Sequence, residues 1–82
     1  MSREGEFFLT TFTERLKQLR AEKKTTQKDV ADFLHFNTRS YQKIETAEVK
    51  PSFDTLIALA DYFDVSTDFL LGRTDNPNSH KM

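Results

Sequence analysis

The chain has 82 residues, 37% of them hydrophobic and 30% charged, with a formal net charge of −1; this is enough for one small domain with a modest core. It has no Cys, only two Gly and two Pro, which excludes disulfide scaffolds, zinc fingers, iron–sulfur sites, thiol nucleophiles, collagen-like repeats and long linkers. No apolar run approaches the ~20 residues of a membrane span, so a cytoplasmic protein without membrane contact is expected.

Helix signals dominate, and no sustained period-two alternation marks a strand. Thr11-Phe12-Thr13-Glu14 reads as a capping box opening a first helix that ends near Lys23. Phe12, Leu16 and Leu19 form one apolar stripe at i, i+4, i+7. Phe8 extends that stripe upstream, a sign of an earlier start. Thr26 caps a second helix, with Asp29 in the capping-box slot and Val30, Ala31 and Leu34 facing inward. Asn37 caps a third helix from Thr38, and Phe36 with Tyr41 has staple spacing. Two short helices joined by a tight turn is helix-turn-helix spacing. Pro51 closes a loop before Ser52, which caps a fourth helix whose apolar face is Phe53, Leu56, Ile57, Ala60 and Phe63. Ser66 caps a short fifth helix, and Gly72 is its stop. The division expected is an N-terminal segment 1–10 extending the first helix, a domain over 11–72, and a polar tail over 73–82 that frays.

Charge is uneven along the chain. Residues 1–50 carry net +2 and residues 51–82 net −3. From Arg15 to Lys43 eight basic residues face only three acids, which points to an anionic partner on one side. A helical wheel puts Thr38, Arg39, Gln42, Lys43 and Thr46 on one side of the third helix, with Ser40, Tyr41 and Ile44 opposite. Amphipathicity alone would fit any solvated helix. The residue types say more: Arg can fork onto guanine, Gln onto adenine, and Thr can touch a thymine methyl.

In order and spacing, several stretches resemble the Cro and phage-repressor family of helix-turn-helix proteins, also called XRE. They are Arg15-Leu16-Lys17-Gln18-Leu19-Arg20, Thr26-Gln27-Lys28-Asp29-Val30-Ala31-Asp32-Phe33-Leu34, Tyr41-Gln42-Lys43-Ile44-Glu45, Pro51-Ser52-Phe53-Asp54-Thr55-Leu56, and Leu59 through Gly72. The ending, with Arg73-Thr74-Asp75-Asn76-Pro77 after it, is similar to repressors of phages and mobile elements in Gram-positive bacteria. The resemblance implies an all-α, compact five-helix, lambda-repressor-like DNA-binding domain with the helix-turn-helix formed by helices 2 and 3. It implies base contacts from Thr38, Arg39 and Lys43, with Gln42 between them on the exposed face. It implies phosphate contacts from Thr26, Gln27, Thr46 and Lys50, and a structural ion pair between Arg20 and Glu45. His35, Ala47 and Asp64 stand where the family usually places Gly.

The expected function is a sequence-specific transcriptional regulator, a repressor binding a palindromic operator in double-stranded DNA as a homodimer, with the third helix in the major groove. Candidate dimer contacts are Phe7, Phe8, Phe69 and Leu70. The alternative is a protein-interaction module bound by an antirepressor or toxin, with DNA secondary. No cofactor is expected. His35 and His80 lack the ligand spacing of a metal site. Asp54, Asp61, Asp64 and Asp68 are better explained by capping and solvation than by catalysis, because no nucleophile or pocket-forming loop accompanies them.

Overall fold

A computed structural model describes residues 3–78, with side chains described from Thr11 onward. Phe7, Phe8 and His80 as side chains lie outside the described set. The described residues form five helices: α1 Arg3–Lys23, α2 Gln27–Leu34, α3 Thr38–Glu45, α4 Phe53–Phe63 and α5 Thr67–Leu70. No strand occurs among them.

The four later helices start where their caps predict. Thr26 accepts from the Asp29 N–H at 3.0 Å while the Asp29 carboxylate accepts from the Thr26 N–H at 2.9 Å, a complete capping box. Asn37, Ser52 and Ser66 each accept the N–H three residues on, at 2.8, 3.1 and 2.9 Å. The first helix takes the earlier start that the Phe8 stripe suggests, and the Thr11 cap is not used. Thr11 lies within α1, which begins at Arg3, so the Thr11–Glu14 box caps nothing. Thr11 instead packs on Gly72, where an added Cβ would sit 2.5 Å from its methyl carbon.

All five helices end alike. A residue in the left-handed region follows the last turn: Lys24, His35, Ala47, Asp64 and Gly72, with φ of 56°, 61°, 66°, 58° and 79°. The next N–H reaches back five residues, as from Phe36 to Ala31 O at 2.9 Å and from Glu48 to Lys43 O at 2.8 Å. This Schellman closure satisfies carbonyls that a helix end otherwise leaves open. It normally recruits Gly, which has no Cβ to strain, yet here four of the five positions carry side chains. The turn between α2 and α3 therefore keeps the left-handed geometry with His35 in it.

The core gathers Phe12, Leu16 and Leu19 of α1, Val30 and Ala31 of α2, Tyr41 and Ile44 of α3, Leu59, Ala60 and Phe63 of α4, then Val65 and Leu70. Each helix contributes one stripe, so no helix is buried all round. Ala31 is fully buried between neighbours, and its small side chain lets another helix pass closely. The segment after α5 contacts the rest of the fold within the described residues. The Arg15 guanidinium lies 4.2 Å over the Phe69 ring and donates to the carbonyls of Phe69 and Thr74 and to the Asp75 carboxylate. The Ser66 N–H donates to Pro77 O at 2.7 Å.

Candidate nucleic-acid interface

The α2–turn–α3 unit is fixed from beneath by Tyr41, Ile44 and Glu45, all buried. Burying these three turns the other side of α3 outward, and Arg39, Gln42 and Lys43 are exposed there. Gln27, at the start of α2, joins Thr38, Arg39, Gln42, Lys43 and Thr46 around one open surface depression. Glu48 is the one acid that shares it.

A buried carboxylate organises this surface. Glu45 is only 2% exposed. Arg20 of α1 grips it with two parallel bonds, Nε to Oε2 and Nη2 to Oε1. The Tyr41 hydroxyl donates to Oε2 at 2.6 Å and the Gln27 amide donates to Oε1 at 3.0 Å. Burial pushes the Glu45 carboxyl upward, but the bonds from Arg20, Tyr41 and Gln27 outweigh it and hold the group below the usual carboxylate range. The same contact raises Tyr41, first through burial and then through its bond to Glu45. It also raises Arg20 through the hydrogen bond to the carboxylate.

This anion sets the direction of two amides, half-buried Gln27 and exposed Gln42. A carboxylate only accepts, so the Gln27 amide must turn its NH2 toward Glu45. Its oxygen then faces α3, where it accepts from Gln42 Nε2 at 3.0 Å. Gln42 is left with its own oxygen and one N–H directed outward. An acceptor beside a donor is the pair that matches adenine N6 and N7.

The remaining positions are less uniform. The Thr26 backbone N–H and hydroxyl oxygen are both engaged with Asp29 in the capping box, which leaves only its hydroxyl proton for a phosphate. Thr46 Oγ1 lies 2.9 Å from a Glu48 carboxylate oxygen and 3.3 Å from Lys43 O. Lys50 is exposed in the loop after α3. Of the residues read as dimer contacts, Leu70 is fully buried and Phe69 is half-buried beneath Arg15. Sequence reasoning passed over Tyr41 as a partner of Glu45, although their i, i+4 spacing on one helix was the available signal. It also passed over Arg15, whose partners lie 54 to 60 residues away and leave no local trace.

Residues 16–70 match the helix-turn-helix family model. The chain is 39% identical over 67 residues to the uncharacterised transcriptional regulator YobD of Bacillus subtilis, covering 82% of this chain and 60% of that protein. It is 36% identical over 61 residues to the regulator ImmR of the same organism, covering 74% of this chain and 48% of the relative. It is 37% identical over 60 residues to the phage CTXphi transcriptional repressor RstR of Vibrio cholerae, covering 73% and 54%. The chain thus spans about half to three fifths of the length of these relatives. No solved structure gives a significant match. With its five helices, its turn between α2 and α3 and this sequence match, the chain belongs to the helix-turn-helix family of the Cro and phage-repressor (XRE) type.

Proposed function

We propose that the chain is a sequence-specific DNA-binding transcriptional regulator, a repressor that acts as a homodimer on a palindromic operator. In this reading α3 enters the major groove. Arg39, Gln42, Lys43 and Thr38 meet base edges, while Gln27, Thr46, Lys50 and the Thr26 hydroxyl meet phosphates. One observation carries the reading: the hydrogen-bonded series Glu45, Gln27, Gln42 presents a fixed acceptor and donor on the exposed side of α3. A solvated surface gains nothing from an amide held in one orientation, whereas base recognition does, because ordering before binding lowers the cost of ordering on contact. The relatives include a protein named as a transcriptional repressor, which supports repression over activation.

The test is selection from random duplex DNA, followed by affinity measurement at two salt concentrations. The expected result is an enriched two-fold symmetric sequence with half-sites about one helical turn apart and a steep loss of affinity with salt. Weak, salt-driven binding with no enriched sequence would reject it in favour of a module that binds another protein.

A further inference from the structure

The hydrogen bonds of Glu45 fill both of its oxygens. Oε1 accepts from Arg20 Nη2 at 3.1 Å and from Gln27 Nε2 at 3.0 Å, while Oε2 accepts from Arg20 Nε and from the Tyr41 hydroxyl. A carboxylate has about four lone-pair sites, so Gln27 occupies the last of them. Turning the Gln27 amide over would aim its oxygen at a buried anion and leave that site unfilled, an arrangement strongly unfavourable away from water.

The next link keeps the same sense. Gln27 Oε1 accepts from Gln42 Nε2 at 3.0 Å. Glu45 is buried beneath α3, Gln27 is half-buried and Gln42 is exposed, so the three lead from the interior to the surface.

We propose that Glu45, which does not itself reach the surface, is a positioning residue that sets which base Gln42 reads, selecting adenine and rejecting guanine. The proposal rests on the DNA-binding reading above and adds to it the base and the residue that chooses it.

The choice follows from the protons. With one Nε2 proton given to Gln27, Gln42 has its oxygen and one N–H left. Adenine offers a donor at N6 and an acceptor at N7, and both match. Guanine offers acceptors at both O6 and N7, so the Gln42 oxygen would face O6 with no proton between them. A reversed series gives the opposite answer. If residue 45 donated to Gln27, Gln27 would donate to Gln42 Oε1, and both protons of the Gln42 NH2 would be free for guanine. An amide with no such partner takes either sense and separates the two purines poorly. One buried charge thus decides the sense of an amide two hydrogen bonds away.

Selection from random duplex DNA with the wild-type chain and its variants tests this. Gln42→Ala identifies the base pair read by residue 42, as the one where preference falls. In the wild type that pair should carry adenine, preferred over guanine by on the order of tenfold or more. Gln27→Leu leaves Arg20 and Tyr41 on Glu45 and removes only the link. It should lower the adenine-to-guanine ratio at that pair by on the order of tenfold, while preferences elsewhere in the site persist. Its lost phosphate contact weakens all sequences alike and cancels in the ratio. Glu45→Gln, with thermal unfolding followed alongside, should admit guanine as well, because a neutral amide can donate to Gln27. Gln27→Leu and Gln42→Ala together should lose no more of the ratio than Gln42→Ala alone, since the two act in series. An enriched duplex whose ratio at that pair is unchanged in Gln27→Leu overturns the proposal and leaves the regulator reading standing. A wild-type preference for another base at that pair overturns it too. No enriched sequence for the wild type rejects the regulator reading and the proposal with it.

Discussion

Glu45 is a carboxylate taken out of water, and its neighbours decide whether that destabilises or stabilises the fold. Three donors from three segments meet it, so the group stays charged at a burial that would otherwise neutralise it. Glu45→Gln removes the charge while keeping the volume, and is expected to cost about 2–3 kcal/mol at neutral pH. The pH dependence follows from the direction of its shift. Because the folded carboxyl lies below its unfolded value, the stabilisation is complete above the unfolded value of about 4.3. It is lost as pH falls through the lower, folded value. The gap between wild type and Glu45→Gln in urea midpoint should therefore narrow from pH 7 to pH 3; a constant gap would mean that the charge contributes nothing. Ala47 poses a different problem at the same scale. It is exposed yet sits at φ 66°, where a non-glycine residue is strained by roughly 1–2 kcal/mol. Ala47→Gly removes that strain but adds unfolded-state freedom, worth about 0.5–1 kcal/mol. Thermal unfolding should thus show a gain of about 1 kcal/mol or slightly less, since no packed side chain is lost.

Each helix of the α2–α3 unit has one side in the core and one side exposed. Burial of Val30, Ala31, Tyr41 and Ile44 fixes the rotation of both helices. The opposite side of α3 is thereby turned outward, and Gln42 on it is further held by Gln27. Two substitutions separate the roles within this unit. Arg39→Ala should cost about 1–3 kcal/mol in binding to the enriched duplex and relax preference at one base pair. Equal losses on every sequence would remove Arg39 from base reading. Lys50→Ala should weaken binding to all duplexes alike and flatten the slope of log affinity against log salt by about one unit. An unchanged slope would remove Lys50 from the phosphate contacts. Glu48 tempers the field at this surface, because an acid beside Thr46 opposes a phosphate at the same place.

At the scale of the whole molecule, Arg15 joins the two ends of the described chain. It reaches from α1 to Phe69, Thr74 and Asp75, and the Ser66 N–H is closed by Pro77 O. Arg15→Met keeps an apolar stem over Phe69 but removes every donor. Hydrogen exchange at the Ser66 amide should then accelerate, because its backbone partner, Pro77 O, belongs to the released segment, while amides of α2 and α3 keep their protection. Uniform acceleration would indicate general destabilisation, and no change would mean that the segment holds without Arg15.

The amino-acid sequence by itself determined the helices, their order and their start points after α1. Caps and apolar stripes act within a few residues, and the Thr26, Asn37, Ser52 and Ser66 caps need nothing distant. The same local information made the exposed side of α3 legible, because a wheel needs only one helix. For α1 it offered two starts, the Thr11 box and the upstream extension through Phe8, and could not choose between them, since a Thr-x-x-Glu spacing cannot tell an end from an interior turn. Tertiary structure alone decided the rest. Thr11 meets Gly72, Arg15 holds residues 74 and 75, and Glu45 fixes the direction of Gln27 and Gln42. Those contacts join segments 15 to 61 positions apart, which no short-range pattern encodes. It was also packing that buried Leu70 and left Phe53 outside. Both are apolar residues of short amphipathic helices, and only the neighbours present on each side distinguish a core position from a surface.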